Sequence, residues 1–329
     1  MFTVNDTTIA VMFCVLTMIG WGSWANTRKL SQRHDWPFGL FYWDYCLGVA
    51  VGGMLFAMSL GSLGSAGQST LANLKSAALT PALRAVAAGL LFNIANVLLV
   101  AAIDATGLAI AFPVGIGLAL IIGTVVSYWQ TPRGDARLLA LGIACILIAM
   151  ALSAVAHSRR SGVAGPKRSG ISFAILAGAL MGFFYPQLVS SIAPDFNIKP
   201  ITPGTLTPYA ALVLFGIGVV VSGVPLTTIF LRGGRRSVGY FSVPFTTHVP
   251  GILGGLIWMA ALTFNVVASG VAGPAISYAL GQGATLVAAL WGIFVWREFR
   301  SARKGTGTLL ALMLCGYCVG LLLIGLAMP

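Results

Sequence analysis

The sequence predicts an all-α integral membrane protein, with ten transmembrane helices in two inverted-topology five-helix repeats. Three observations carry that prediction. Apolar residues make up 58% of the chain and charged residues 8%, against about 25% charged in soluble domains. Runs of roughly 20 apolar residues, long enough to cross about 30 Å of hydrocarbon, follow one another from end to end. A glycine pattern at Gly107, Gly115 and Gly117 returns at Gly273, Gly281 and Gly283, a constant offset of 166 in 329 residues, as expected of two related halves.

The first span, 7–27, ends in a Trp-rich run before Arg28 and Lys29. These basic residues follow the apolar run rather than precede it, so no cleavable signal is expected. The second, 38–60, carries Asp44 and the close-packing pair Gly48 and Gly52. The third and fourth, 82–104 and 107–127, are joined by a very short turn and read as an antiparallel hairpin. A fifth, 136–156, completes the first repeat, 1–160. Residues 161–329 form the second, with spans at 169–190, 206–231, 249–270, 272–295 and 306–328. Its eighth and ninth spans again form a hairpin. Each span is helical because lipid offers the backbone no hydrogen-bond partner. Gly178 and Gly182, Gly251 and Gly255, and Gly316 and Gly320 repeat the four-residue spacing that lets helices approach closely.

The net charge of +12 is explained by orientation in the membrane, not by a nucleic-acid partner. Loops after odd-numbered spans carry 14 lysines and arginines and the other side carries five. The first set is expected to be cytoplasmic, with both termini outside. Five spans per half then invert the second half relative to the first, an architecture of secondary transporters. A bacterial inner (plasma) membrane fits the size. Five cysteines all lie in apolar runs and are read as packing residues.

Several stretches carry a resemblance: GWGSWANTRKL at 20–30, FYWDY at 41–45, NIANVLL at 93–99, the glycine-rich run at 107–129, and LGQGATLVAALWGIFVWREF at 280–299. In this order they resemble the drug/metabolite transporter superfamily, in its branch of bacterial glucose/ribose porters and plant ureide permeases. The resemblance implies ten spans in two inverted halves and uptake of small polar solutes, commonly with protons. Glu298 matches the acidic residue that closes the superfamily's ninth span.

Asp44 is the acidic residue that falls within a span. A charge at mid-membrane costs about 2.5–3.5 kcal/mol on insertion scales and faces the bundle interior or water. It is read either as the proton-coupling or substrate-binding group or as a structural partner of Arg28 or Lys29. Asn93 and Asn96, three apart on one helix face, supply uncharged donors and acceptors to a solute or to neighbouring helices. Gln282, between Gly281 and Gly283, is the corresponding polar group of the second half. Trp21, Trp24, Tyr42 and Tyr185 offer flat rings for stacking on sugars or heterocycles; Trp43 and Trp258 lie in spans too. Trp129 and Trp296 sit at span ends and are read as an interfacial belt. Pro113, Pro186, Gly115, Gly117, Gly281 and Gly283 are the expected helix breaks or hinges around a central site.

Enzyme signatures are not legible: His34, His157 and His248 lack metal-ligand spacing, and no catalytic residue, metal site or cofactor is expected. The reading is a secondary active transporter taking up small polar, mostly uncharged solutes, sugar or ureide/nucleobase-like, with protons. The alternatives are an exporter of the same superfamily and a passive facilitator. The expected partners are the polar substrate, protons and membrane lipids, with a homodimer left open as the assembly.

Overall fold

The computed structural model describes residues 1–31, 37–159, 168–232, 239–300 and 302–329. Among them, ten helices are long and apolar enough to cross a membrane. They are α1 (Thr7–Ser23), α2 (Phe38–Met58), α3 (Leu79–Thr106), α4 (Leu108–Gln130) and α5 (Ala136–Ser158). They continue with α6 (Arg168–Val189), α7 (Pro208–Arg232), α8 (Val249–Ala272), α9 (Pro274–Val295) and α10 (Thr306–Leu326). The chain is an integral multi-pass membrane protein. Every expected span is present, with ends shifted by a few residues.

The two short turns are built alike. Gly107 ends α3 at φ 78° and ψ 161°, and Gly273 ends α8 at φ 80° and ψ 151°. Both φ values lie where only glycine sits without strain. Each glycine donates its N–H to the carbonyl four residues back, Ile103 at 2.8 Å and Ser269 at 2.9 Å. Each accepts from the residue four ahead, Ala111 and Ser277, both at 3.1 Å.

Helix α3 packs against α6 and α7, and α8 packs against α1 and α2. Helix α2 meets α7, α4 meets α6 and α9, and α5 meets α10. The tightest crossings are at glycines. A Cβ on Gly48 would lie 2.1 Å from the Ile252 carbonyl oxygen, and one on Gly255 would lie 2.1 Å from that of Tyr45. Gly218 and Gly89 stand in the same relation to the carbonyls of Val86 and Phe215, each at 2.2 Å. No side chain fits at these four positions, so backbones touch directly, as small residues permit in lipid.

Proline and glycine do not interrupt the helices wherever the sequence suggests it. Helix α4 runs unbroken through Pro113, Gly115 and Gly117, and α6 through Pro186. One proline removes a single backbone hydrogen bond, and a glycine costs only about 1 kcal/mol in a helix; packing tolerates both. Helix α9 does divide, into Pro274–Gly281 and Ala284–Leu290, at Gln282 and Gly283. It then ends in a π-turn at Trp291–Val295.

Candidate functional site

Two adjoining cavities enter the bundle from the end that carries Lys29, His157 and Glu298. The outer one, about 320 Å³, is bounded by α1, the start of α4, the end of α5, α9 and Tyr317 of α10. The inner one, about 130 Å³, reaches the middle of the bundle and shares Trp21, Trp24, Phe112, Thr285 and Ala288 with the outer.

The inner cavity is walled by rings. Trp258 of α8 stacks on Phe92 of α3 with centroids 4.1 Å apart, and on Trp21 of α1 at 5.9 Å. The indole N–H of Trp21 donates to the Trp258 carbonyl, which fixes the tilt of that ring. Phe184 of α6 completes this side. Three polar side chains reach the same space: Asn96, Gln282 and Thr285. Asn96 donates to the Tyr42 hydroxyl at 3.3 Å, and Thr285 donates to the Gln282 carbonyl at 2.9 Å. Among the described residues the Gln282 carboxamide makes no protein hydrogen bond, which leaves it two donors and an acceptor oxygen for a ligand.

Of the residues singled out from sequence, Trp21, Trp24, Asn96 and Gln282 line the inner cavity, and Pro113 lines the outer. Tyr42, Asn93 and Tyr185 line neither. Asn93 is fully buried: its oxygen accepts from Tyr42 at 2.6 Å and its nitrogen donates to the Val219 carbonyl and to Ser222. It ties α2, α3 and α7 together. Tyr185 shares a hydrogen bond with Ser277 at 3.0 Å and stacks on Tyr278 at 4.8 Å, joining α6 to α9. An unpartnered amide or phenol inside the bundle is costly, and the nearest partners here are other helices.

Asp44 lies on the first turns of α2, with no exposed surface. Its carboxylate accepts from His248 Nδ1 at 2.9 Å and from the Tyr240 hydroxyl. Its described partners are therefore not the two basic residues considered from sequence. Lys29 pairs with Glu298 at 3.5 Å, and the Arg28 guanidinium lies over the rings of Phe38 and Phe41. Tyr240 lies outside the spans; burial, then the hydrogen bond and charge of Asp44, hold its phenol well above the usual value. The pairing with His248 was missed because metal spacing is the wrong test for a lone histidine. The usable signal was depth: His248 opens the eighth span at the same membrane face on which Asp44 opens the second.

Other ring positions also escaped the sequence. Phe92, Phe112 and Phe184 face the cavity, yet nothing in their spacing separates them from packing phenylalanines. Trp296 is not simply part of a belt. Its N–H donates to Asn26 at 2.7 Å, Lys29 sits 3.7 Å from its ring centre, and it borders the cavity mouth. Trp129 is 85% exposed, consistent with a lipid-facing ring.

The opposite end of the bundle holds a further cavity of about 330 Å³, lined in part by Arg133, Asp195, Ser269 and Gly270. Arg133, between α4 and α5, pairs with Asp195, between α6 and α7, and donates to the Gly270 carbonyl at 3.0 Å. Lys199 adds a looser contact to Asp195.

Residues 41–167 match the ureide permease family. Ureide permease 1 of Arabidopsis thaliana is 21% identical over 97% of this chain and 97% of its own length. Ureide permease 4 of the same plant is 22% identical over 95% and 96%. The glucose uptake protein GlcU of Bacillus subtilis (strain 168) is 24% identical over 67% of this chain and 70% of its own. A solved crystal structure shares the fold at a TM-score of 0.64 and 16% identity, covering 95% of this chain and 96% of that one. These relatives are named as permeases and uptake proteins, that is, as transporters rather than enzymes. This chain is similar to ureide permeases and to bacterial glucose uptake proteins.

Proposed function

We propose that the protein is a secondary active transporter that takes up small, polar, mostly uncharged solutes of the sugar or ureide/nucleobase kind, driven by protons. The observation that carries this reading is the inner cavity, which Asn96 and the unengaged carboxamide of Gln282 line together with the rings of Trp21, Trp258 and Phe92. Amides and hydroxyls without a formal charge suit uncharged polar solutes, and rings suit the flat faces of sugars and heterocycles. The relatives' names point the same way.

Alternating access between two inverted halves, 1–160 and 161–329, is supported by the pattern of contacts. Exchanging each helix for the one five places along turns α3 on α7 into α8 on α2, and α3 on α6 into α8 on α1. At residue level, Gly89 on Gly218 corresponds to Gly255 on Gly48, with offsets of 166 and 170. In this arrangement the cavity is open toward the lysine- and arginine-rich end, read as cytoplasmic in a bacterial inner membrane with both termini outside. The Arg133–Asp195 pair would then be the outer seal, released when one half rocks on the other.

Asp44 is the proposed proton carrier. Its place between His248 and Tyr240 ties α2 to α8 and to the segment before it, so protonation of the carboxylate would loosen a contact between the halves. The test is uptake of labelled glucose, ribose, allantoin, uracil and amino acids into proteoliposomes, with and without an inward proton gradient. Concentrative, gradient-driven uptake of one neutral class is expected. Equilibration indifferent to the gradient would make the protein a facilitator, and transport only in the opposite sense an exporter.

A further inference from the structure

We infer that Ile116 and Gln282 are the specificity-determining pair of the cavity, one reading an apolar edge of the solute and the other a polar edge. This rests on the transporter reading above and deepens it. The two residues are 166 apart, and each stands between two buried glycines: Gly115 and Gly117, Gly281 and Gly283. The glycines hold the backbone hard against neighbours. A Cβ on Gly115 would meet Leu99 at 2.8 Å, and one on Gly281 would meet Asn265 at 2.9 Å. Leu99 and Asn265 are themselves 166 apart. A Cβ on Gly283 would meet Met18 and Leu321, both at 2.8 Å, and one on Gly117 would meet Leu147 at 3.3 Å.

Each Gly-x-Gly therefore spends its flanks on packing and presents its middle side chain to the inner cavity, which both Ile116 and Gln282 line. One scaffold, present twice, displays an alkyl group to the cavity from α4 and a carboxamide from α9. Leu99 and Met181 line the same cavity, so a hydroxyl or amide turned toward these alkyl groups loses its hydrogen bonds to water without replacement. The lining selects solutes that meet Gln282 with a hydrogen-bonding group and Ile116 with apolar surface, and disfavours those that turn a polar group toward Ile116. Discrimination by an unpaired polar group exceeds that from a missing methylene, so Gln282 should select more sharply than Ile116.

The experiment is counterflow in proteoliposomes with labelled glucose and labelled uracil. Each is competed by its own analogues altered at one position: singly deoxygenated glucoses and singly methylated uracils. With whichever solute the wild type carries, Gln282→Leu should erase the penalty for losing one particular polar group, a change of about tenfold in relative competition. Ile116→Gln should remove the penalty against a polar group at a different position. Gln282→Met and Ile116→Thr provide milder versions should either protein fail to fold, judged by monodispersity and thermal melting. If folded variants at both positions keep wild-type preference ratios within twofold, or shift the same position, the inference is overturned while the transporter reading stands. If the wild type carries neither probe nor any other small polar solute, both fall together.

Discussion

Phe92 and Trp258 are 166 residues apart in sequence and stack directly on one another, centroids 4.1 Å apart and planes 30° from parallel. They meet where the halves proposed for this chain meet, and both line the inner cavity. An aromatic contact of this kind is worth about 0.5–1.5 kcal/mol beyond its buried area. A solute face stacked on the Trp258 ring gains a similar amount, so Trp258→Leu should raise the KM for the transported solute by roughly 3- to 10-fold, with a smaller effect on maximal rate. Initial-rate uptake over a concentration series measures this, and an unchanged KM would remove the ring from the site.

The four crossing glycines should be matched in pairs. Gly48→Ala and Gly255→Ala place a methyl against a backbone carbonyl in one crossing, as Gly89→Ala and Gly218→Ala do in the other. Overpacking of this kind costs about 1–3 kcal/mol. Each variant should melt at lower temperature in detergent than wild type, while Gly307→Ala, with open space around it, should not.

Breaking the proposed outer seal should admit reagents from the end that carries Arg133 and Asp195. In an Arg133→Ala background, a cysteine placed at Ser269, beside Gly270, should react faster with an impermeant thiol reagent added from that side. Equal rates in both backgrounds would assign the Arg133–Asp195 contact to loop structure alone.

Asp44→Asn should abolish pH-driven accumulation while leaving solute exchange intact; continued accumulation against a gradient would dismiss the proton role. Tyr240 gives a separate pH test. Its phenol is raised by burial and then by Asp44, so the contact contributes fully below the ordinary phenol value of about 10. That contribution is lost as pH rises from there through the raised folded value. The melting-temperature gap between wild type and Tyr240→Phe should be flat from pH 7 to about 9.5 and narrow at higher pH. A gap that closes in the neutral range would point to another group.

The spans, the two hairpins and the polar centre were legible because lipid leaves few options: apolar length sets a helix, and an amide inside it must find a partner. What sequence could not settle was which partner. Asn93 and Asn96 share a helix face, yet Asn93 locks three helices together and Asn96 reaches the cavity. One turn of α3 separates the two fates, and only the position of α7 decides between them. Tyr185 likewise turned to Ser277. Gln282 was legible for a physical reason, since flanking glycines leave its side chain as the one that projects. Its counterpart in the cavity, Ile116, was not, because an isoleucine in a membrane helix announces nothing.

The most direct test of a solute path through this cavity is a cysteine at Ala288, which lines both cavities and is exposed, in a protein whose five native cysteines are replaced by serine or alanine. Its alkylation rate would be measured with an impermeant reagent applied to each face of the membrane. Reaction from the face bearing Lys29 and Glu298, slowed several-fold by the transported solute and not by an untransported isomer, is the predicted result. A rate that the solute leaves unchanged, from whichever face the reagent enters, would contradict it.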